Sequence, residues 1–174
     1  MYQIDWNNVE AAFYHIMHDG WVSGRMENKE ILVLDGYRVY APSPDETYKL
    51  VDMWTRTSLS ERSAGVTTLY QRFDVDWIPI WVMHYGGWYK PQASDFLKCV
   101  LRLAYENPPS SFEPPHNFWG CRGPHTSEVN DFVYQNQHVV GPHFSFKSFE
   151  GWEQVLLGQE RVGYHQYFGM SLVG

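Results

Sequence analysis

The spacing of apolar and polar residues predicts helices at two places in the chain. In the segment DWNNVEAAFYHIMHDG the apolar side chains recur at helical intervals, at Trp6, Val9, Phe13, Ile16 and Met17. Asp5 stands where a helix cap is expected, and Gly20 stands where a helix ends. The segment DFLKCVLRLAYE follows Ser94 as its cap, has one apolar face and stops at the sequence NPP. We therefore predict one helix near the N-terminus and another in the middle of the chain.

Strand-like runs occur in three pairs, and a turn signal separates the members of each pair. The first pair is KEILVL and YRVYAP around Asp35-Gly36, a dipeptide that suits a tight two-residue turn. The second is TTLYQRF and WIPIWVMHYGG around DVD, and the third is WEQVLLG and RVGYHQYFGMSL around QE. Pro79 lacks a backbone donor, so its strand is expected at a sheet edge or to contain a bulge. The pattern predicts three β-hairpins.

Three further segments carry weaker local signals. Ser43-Pro44-Asp45-Glu46 reads as a capping box with proline at the first helical position, which predicts a short helix through TYKLVDMW. The small, polar segment SLSERSAG is expected to be a loop and the best place to find disorder. Residues 107–145 are rich in proline, glycine and aromatics and predict a long ordered loop with short strands such as DFVYQN.

Length and composition fit a single domain over residues 1–174. A chain of 174 residues with 44% apolar content can bury a core, and its eight Trp make flat rings a large part of that core. We predict an α+β fold, an antiparallel, twisted sheet of three hairpins with two or three helices packed on one face. The second and third hairpins echo each other, since each ends in an aromatic strand that carries His and stops at glycine. Their identity is too low to claim duplication, but the echo suggests similar strand ends on one sheet.

Charge and cysteine content exclude several functional classes. Thirteen basic and twenty acidic side chains give a net charge of −7, and no Lys/Arg run is present, so we expect no nucleic-acid partner. The N-terminal sequence resembles no signal peptide and no long apolar run occurs, so we expect a cytoplasmic protein without membrane contact. Cys99 and Cys121 are the two cysteines, and both are interpreted as free thiols.

The stretch NFWGCRGPH gathers several chemically active side chains. His116, Cys121 and His125 are zinc-ligand types, but their spacing lacks a paired knuckle, so we predict no metal and no cofactor. Arg122 between two glycines could hold an anion, although a loop arginine more often binds a neighbouring group of its own protein. The roles of Cys121 and of the histidines stay open, and the histidines concerned are those at positions 116, 125, 138 and 143.

Candidate acid–base groups come from the strands rather than from any known catalytic motif. Glu153, His84 and His165 are such groups, and Arg122 could stabilise developing charge beside one of them. A strand histidine flanked by aromatics is more often a buried, hydrogen-bonded core residue, which is the alternative for His84 and His165.

Aromatic residues along one strand suggest a binding surface or a core. Trp77, Trp81 and Tyr85 lie at even spacing and would share one face of a strand. Such a stripe belongs either to the core, the more common case, or to an apolar cleft with polar groups at its mouth. The predicted ligand-binding set is Trp81, Tyr85, Arg122, Tyr164 and His165.

A succession of short motifs resembles the bacterial domain-of-unknown-function family DUF5680. The motifs are Y-x-V-Y at 37–40, PIWVMHYGG, DFLKCVL, the RGP of 122–124, FVYQNQHVVG, F-x-G-x-E at 149–153 and a final Y-x-x-Y-F-G. The resemblance covers roughly residues 30–173 and fades over 41–72, a variable segment. It implies an α+β domain of unknown activity, sometimes joined to a helix-turn-helix regulator that this chain has no room for. Cys121 and His125 are not part of the family pattern, which counts against a metal or thiol role.

Three functional hypotheses follow from these residues. The first is a binding module whose aromatic cleft, near the strand ends at Gly86 and Gly169, takes a small molecule or a protein partner. The second is an enzyme in which Glu153 or His84 acts as general base and Arg122 stabilises charge, which requires these groups to converge in one cleft. The third is a homodimer formed through exposed aromatic surface.

Overall fold

A computed structural model gives the fold of this chain. The structure describes residues 4–19, 32–34, 37–41, 45–106, 125–129, 131–139 and 144–174. Two segments with predicted features, the Asp35-Gly36 turn and most of NFWGCRGPH including Arg122, lie outside the described residues. The same holds for Gly20, Ser43 and Pro44, and for His116, Cys121 and His143.

Two helices and nine strands follow one another along the described part of the chain. The helices are α1, Trp6–Met17, and α2, Ser94–Glu106, the latter preceded by a 3-10 turn at Pro91–Ala93. The strands are β1 Leu32–Leu34, β2 Tyr37–Tyr40, β3 Tyr48–Arg56, β4 Arg62–Phe73, β5 Asp76–Tyr89, β6 His125–Val129, β7 Phe132–His138, β8 Ser148–Leu157 and β9 Glu160–Ser171. They form one antiparallel sheet in the order β1-β2-β3-β4-β5-β9-β8-β7-β6. The α+β class with an antiparallel sheet is therefore confirmed.

Both helices lie where the periodicity predicted them. Asp5 caps α1 through its carboxylate, which accepts hydrogen bonds from the backbone N–H groups of Asn7 and Asn8. The buried side of α2 comprises Leu97, Val100, Leu101, Ala104 and Tyr105. Among the described residues, neither helix is long and apolar enough to span a bilayer.

The helix predicted through TYKLVDMW is wrong, because this segment forms strand β3. Tyr48, Leu50 and Asp52 alternate with less buried neighbours, which is the two-residue period of a strand. The apparent capping signal has a different role, since the Asp45 carboxylate accepts hydrogen bonds from the backbone N–H groups of Thr47 and Tyr48 at the start of that strand. A short Asx-type turn and a helix cap use the same residue types, which explains the error.

The sheet also extends beyond the three predicted hairpins. Besides the strands of those hairpins it contains β3, β6 and β7, and the segment predicted as the SLSERSAG loop already enters β4 at Arg62. Residues 107–145, predicted as a long loop with short strands, contribute β6 and β7, and β7 begins at Phe132, the second residue of the predicted DFVYQN strand. The predicted number of hairpins and of helices is thus not confirmed.

Pro79 lies at a bulge inside a central strand, which confirms one of its two predicted settings. Tyr70 pairs with Pro79 while the preceding residue Leu69 pairs with Trp81, so Ile80 is the extra residue of β5. The bulge accommodates a residue without an N–H donor, and at Pro79 the strand pairs with β4 alone, because its pairing with β9 begins at Trp81.

The sheet has one covered face and one open face. The covered face, here the helix face, bears Trp81 and Tyr85, and α1 packs on it through a ring contact between Phe13 and Trp81 with centroids 5.0 Å apart. Helix α2 joins the same face through Phe96, which stacks on Phe132 at 5.2 Å. The open face bears the alternate residues of the same strands, including His84 and Phe168, whose rings stack with centroids 5.0 Å apart.

The described part of the molecule has two similar halves, which join where strands β5 and β9 pair. Each half consists of a helix followed by a meander of antiparallel strands, and the last strands of the two meanders pair with Tyr85 opposite Tyr167. The predicted echo between the aromatic strands therefore corresponds to neighbouring positions on one sheet. The similarity extends to side chains, because Tyr85 lies opposite Gly65 in one half and Tyr167 lies opposite Gly151 in the other.

Candidate functional site

A buried polar cluster on the helix face surrounds Glu153. Glu153 is fully buried in the middle of β8, and the Tyr134 hydroxyl donates a 2.6 Å hydrogen bond to its Oε2. The Tyr89 hydroxyl donates to Oε1, and the ring of His165 places its Nδ1 4.0 Å from the same oxygen. The cluster brings two of the residues singled out from the sequence, Glu153 and His165, into one site.

A second polar cluster occupies the other half of the same face. The Asp52 carboxylate accepts hydrogen bonds from the Thr67 hydroxyl at 2.8 Å and from the Tyr85 hydroxyl at 2.9 Å, both at Oδ1. In the related half, the Tyr167 hydroxyl donates a 2.5 Å hydrogen bond to Asn136 Oδ1. Each half thus contains a tyrosine on the helix face whose hydroxyl donates a hydrogen bond to a short acidic or amide side chain.

Glycines opposite the aromatic residues determine how these rings lie. The ring of Tyr85 covers Gly65, and the ring of Tyr167 covers Gly151, so that a side chain at either glycine would overlap the ring. Tyr89 covers Gly163 in the same manner. A ring that lies flat across a glycine on a neighbouring strand shields the backbone, and it carries its hydroxyl sideways to an acceptor on the next strand.

The chemical capacity of the Glu153 cluster is limited by burial. Both carboxyl oxygens accept hydrogen bonds from tyrosine, and the side chain has no exposed surface. Buried carboxyl groups of this kind are retained where hydrogen bonds compensate their desolvation. The arrangement therefore joins β5, β7, β8 and β9 beneath the helices, and it is a structural polar cluster in the conformation described.

A groove on the open face has a different character. It has a volume of about 580 Å³ and lies at the end of β4 and β5 next to β9. Its lining consists of Thr55, Arg56, Thr57, Arg62, Ser63, Ala64, Gly86, Gly87, Trp88, Tyr164 and Gln166. Arginines, hydroxyls and two aromatic rings thus surround one concave surface.

Small residues make the floor of this groove. Ala64 pairs directly with Gly86, so two neighbouring strands present almost no side chain at the same level of the sheet. A methyl group at Gly86 would come no closer than 3.4 Å to any atom, its nearest neighbour being the Ala64 Cβ. The space above Gly86 is therefore open, unlike the space above glycines that lie beneath aromatic rings.

One wall of the groove is a row of three cross-strand neighbours. Arg62 pairs with Trp88, and Trp88 pairs with Tyr164 on the next strand. On a sheet face such partners lie within side-chain contact distance. The row places a guanidinium group next to an indole and a phenol, all facing the same side of the sheet.

The charge at the groove is positive. Neither Arg56 nor Arg62 forms an ion pair with any residue that the structure describes. Arg161 adds a third guanidinium, with its Cζ 5.4 Å from the ring centre of Tyr164. The acidic neighbour of Arg161 is engaged elsewhere, because Glu160 binds Lys90. The hydrogen bond that the Lys90 ammonium donates to Glu160, together with the charges of Glu160 and Glu61, raises the pKa of Lys90.

The residues predicted to bind a ligand separate into two places. Trp81 is fully buried, with its indole N–H bonded to the Phe146 carbonyl oxygen, so for this residue the core alternative is confirmed. Tyr85 and His165 also lie on the helix face, whereas Tyr164 lines the open-face groove. Of the predicted set, Tyr164 alone reaches the groove among the described residues, and Arg122 lies outside them.

The two alternative general bases, Glu153 and His84, lie on opposite faces of the sheet. His84 is exposed on the open face, and Glu153 is buried on the helix face, so the sheet separates them. His165 is buried as the core alternative predicted, whereas that alternative is wrong for His84. Sequence reasoning also missed Arg62 and Trp88, which become neighbours only through strand pairing.

No group of three or more His, Cys, Asp and Glu side chains that could hold a metal ion occurs within the described ranges. His138 lies near Phe144 and Tyr167, with ring centroids 5.0 and 6.0 Å away. This places His138 against aromatic side chains at the end of β7. The backbone of His125 begins β6.

No protein-family model, curated protein or solved structure matches this chain. Membership of the DUF5680 family therefore stays a prediction.

Proposed function

We propose that the protein is a binding module whose open-face groove takes a small anionic molecule with a flat ring. The observation that carries this proposal is the row Arg62–Trp88–Tyr164 beside the open floor at Gly86. This refines the predicted aromatic cleft near Gly86, with Trp88 as its main ring in place of Trp81.

The chemistry of the groove walls favours an anion. Arg56 and Arg62 offer guanidinium groups that no described carboxylate neutralises, and planar guanidinium forks bind carboxylates, sulfonates and phosphates through paired hydrogen bonds. The protein as a whole is acidic, so a local group of arginines stands out against its net charge of −7. The hydroxyls of Thr55, Thr57 and Ser63 supply further hydrogen bonds.

The shape of the groove favours a flat ring. Its floor is a strand surface without bulky side chains at Ala64 and Gly86, and the Trp88 indole forms one wall. A planar ligand can lie along that wall while its charged group reaches Arg62. A groove of about 580 Å³ falls in the range of small-molecule sites.

A matched pair of probes tests the proposal. Naphthalene-2-sulfonate carries a ring and a negative charge, and 2-naphthalenemethanol carries the same ring without the charge. Both would be titrated into the labelled protein and followed by NMR shifts of the Gly86 amide and the Trp88 indole N–H. We expect the sulfonate to bind at least about tenfold more tightly, which corresponds to 1.4 kcal/mol.

Variants identify the residues responsible. Arg62→Ala should reduce sulfonate binding to the level of the alcohol. Gly86→Val should block both probes by filling the floor, at a position where a Cβ comes no closer than 3.5 Å to any backbone atom. Arg72→Ala is the control, since Arg72 lies at the other end of β4 and donates to the Asp74 carbonyl oxygen. Equal binding of both probes, or shifts confined to another surface, would reject the proposal.

Of the two candidate general bases in the enzyme hypothesis, Glu153 is the buried one. A substrate would have to reach a carboxyl group that Tyr89 and Tyr134 already engage, and no described observation favours such access. The cytoplasmic location likewise stays a prediction.

A further inference from the structure

Four glycines on the helix face of the sheet lie directly beneath aromatic rings. Gly65, Gly151 and Gly163 lie beneath tyrosine rings, and Gly169 lies beneath the ring of Phe149. A Cβ built at any of these glycines would stand between 2.1 and 2.8 Å from a ring carbon of the neighbouring strand. A flat ring resting on a strand glycine is therefore a recurring contact within this sheet.

Gly86 is a strand glycine on the open face, and no ring of the described residues rests on it. It lies between His84 and Trp88 on β5, and the alternation along a strand puts all three positions on one face. The three atoms nearest to a Cβ built at Gly86 belong to Ala64 and Ser63, at 3.4 to 3.7 Å. The groove floor thus presents the kind of glycine surface that rings of the protein cover elsewhere.

The side chains around Gly86 leave room for one ring that lies flat on the floor. His84 and Trp88 are each two residues from Gly86, which corresponds to about 6.8 Å along a strand. Centroids about 4.5 to 7 Å apart are typical of favourable aromatic pairs. A ring centred over Gly86 would therefore meet an aromatic side chain at either end. Phe168 supports the His84 ring from the next strand, with the two centroids 5.0 Å apart.

Arg62 can reach an acid group at the edge of such a ring. Gly86 pairs with Ala64, and Arg62 lies two residues before Ala64, so Arg62 is a diagonal neighbour of Gly86. Diagonal neighbours on a sheet are about 7 to 8 Å apart, which a long side chain spans. A carboxylate matches the planar guanidinium fork through two parallel hydrogen bonds.

The acidic side chains near the groove do not cancel this attraction. Glu150 stands on the open face of β8, where it pairs with Phe168, and strand β9 separates it from Gly86. Glu160 binds Lys90, and Glu61 helps to raise the pKa of the same lysine. The charge that faces the floor from β4 is therefore the guanidinium of Arg62.

We propose that the groove takes an aromatic carboxylic acid whose ring lies flat on Gly86 and whose carboxylate binds Arg62. The inference rests on the proposed function and narrows its ligand class to planar aryl carboxylates. A planar ring contacts the glycine backbone with its whole face, as Tyr167 does at Gly151. A puckered, saturated ring touches the same surface through a few hydrogen atoms and gains less dispersion energy.

Benzoate and cyclohexanecarboxylate test this inference, because they share charge and carbon skeleton and differ in flatness. Each would be titrated into the full chain and followed by the NMR shifts of the Gly86 Hα protons. The ring current of a ring resting on a glycine moves these protons upfield, and Gly151 beneath Tyr167 gives an internal reference. We expect benzoate to shift Gly86 upfield and to bind at least about fivefold more tightly than cyclohexanecarboxylate, which should cause no such shift.

One glycine variant separates the floor from the arginine. Gly86→Ala adds a methyl group that stays 3.4 Å from its nearest neighbour, so the fold should persist while the ligand ring is lifted from the backbone. We expect this variant to bind benzoate at least about fivefold more weakly than the wild type. Gly174→Ala adds the same methyl group where no atom lies within 4 Å, and it should leave benzoate binding unchanged.

The outcomes distinguish this inference from the proposed function. Benzoate that binds no more tightly than cyclohexanecarboxylate, or that leaves the Gly86 Hα protons in place, overturns the inference. So does a Gly86→Ala variant that binds benzoate as tightly as the wild type. In each case a groove that still prefers naphthalene-2-sulfonate to 2-naphthalenemethanol would retain the proposed function, and loss of that preference would reject both.

Discussion

The phenol ring of Tyr167 lies across Gly151 on the neighbouring strand. A methyl group at Gly151 would stand 2.6 Å from the Tyr167 hydroxyl oxygen and 2.5 Å from the Gln137 carbonyl oxygen. The same ring donates its hydrogen bond to Asn136, one strand further along the sheet. The absence of a side chain at Gly151 is thus what allows the tyrosine to reach its acceptor.

Replacement of this glycine should destabilise the fold. We expect Gly151→Ala to lower the free energy of unfolding by about 2–3 kcal/mol, because the added methyl overlaps both a ring and a backbone carbonyl. Urea denaturation measures the change. Gly86→Ala is the matched control, also a strand glycine, whose methyl would stay 3.4 Å from its nearest neighbour and should cost under about 1 kcal/mol. Equal costs at the two positions would contradict the role assigned to the Tyr167 ring.

Tyr134 should stabilise the fold through Glu153. Tyr134→Phe removes a 2.6 Å hydrogen bond to a fully buried carboxyl group, so we expect a loss of about 2 kcal/mol in unfolding free energy. Tyr37→Phe, at a tyrosine that is 46% exposed on β2, should change stability by less than about 0.5 kcal/mol. A double-mutant cycle with Glu153→Leu, which removes both acceptor oxygens, would give the coupling, and additive costs would show that the hydrogen bond contributes nothing.

The relation between the two halves makes a prediction about Asp52. Asn136 occupies the related position and accepts from Tyr167 as Asp52 accepts from Tyr85. Asp52→Asn keeps the carbonyl oxygen that accepts these bonds, so we expect a cost under about 1 kcal/mol, against about 2–3 kcal/mol for Asp52→Ala. Thermal unfolding of both variants distinguishes them. If the Asn variant is as unstable as the Ala variant, the charge of Asp52 and not its acceptor oxygen is what the site requires.

Local periodicity was enough to predict α1, α2 and the aromatic strands, because their apolar faces lie within single segments. Strand β3 was not predicted, because the charged residue Asp52 occupies one of its buried positions and interrupts the apolar alternation. The Asp is buried because Thr67 and Tyr85, both from other strands, donate hydrogen bonds to it. Such compensation depends on tertiary pairing, which sequence spacing does not contain.

The groove could not be predicted from the sequence for the same reason. Arg62 lies in a segment that looked like a polar loop, and Trp88 lies at the end of a different strand. Their pairing depends on the register of β4 against β5, which the bulge at Pro79 helps to set. The glycine pair Gly86-Gly87 is visible in the sequence. Which side of each glycine is open and which is covered follows only from the strand pairing.

The pH dependence of stability should reveal the partly buried carboxyl group of Glu10 on α1. Burial raises its pKa from 4.5 to about 7, and among the described residues its Oε1 has no hydrogen-bond partner. The folded state therefore binds the proton more tightly than the unfolded state. Its stabilising contribution is complete below about pH 4.5 and is lost as pH rises through about 7.

Glu10→Gln mimics the protonated form and should remove this loss. At pH 8 we expect the variant to be more stable than the wild type by about 1 kcal/mol, a value reduced for the partial solvent exposure of the side chain. At pH 4 the two proteins should unfold at the same urea concentration. Glu150→Gln makes the same chemical change at an exposed carboxylate on β8 and is the matched control. A difference between wild type and Glu10→Gln that stays constant from pH 4 to pH 8 would mean that Glu10 titrates alike in the folded and unfolded chains.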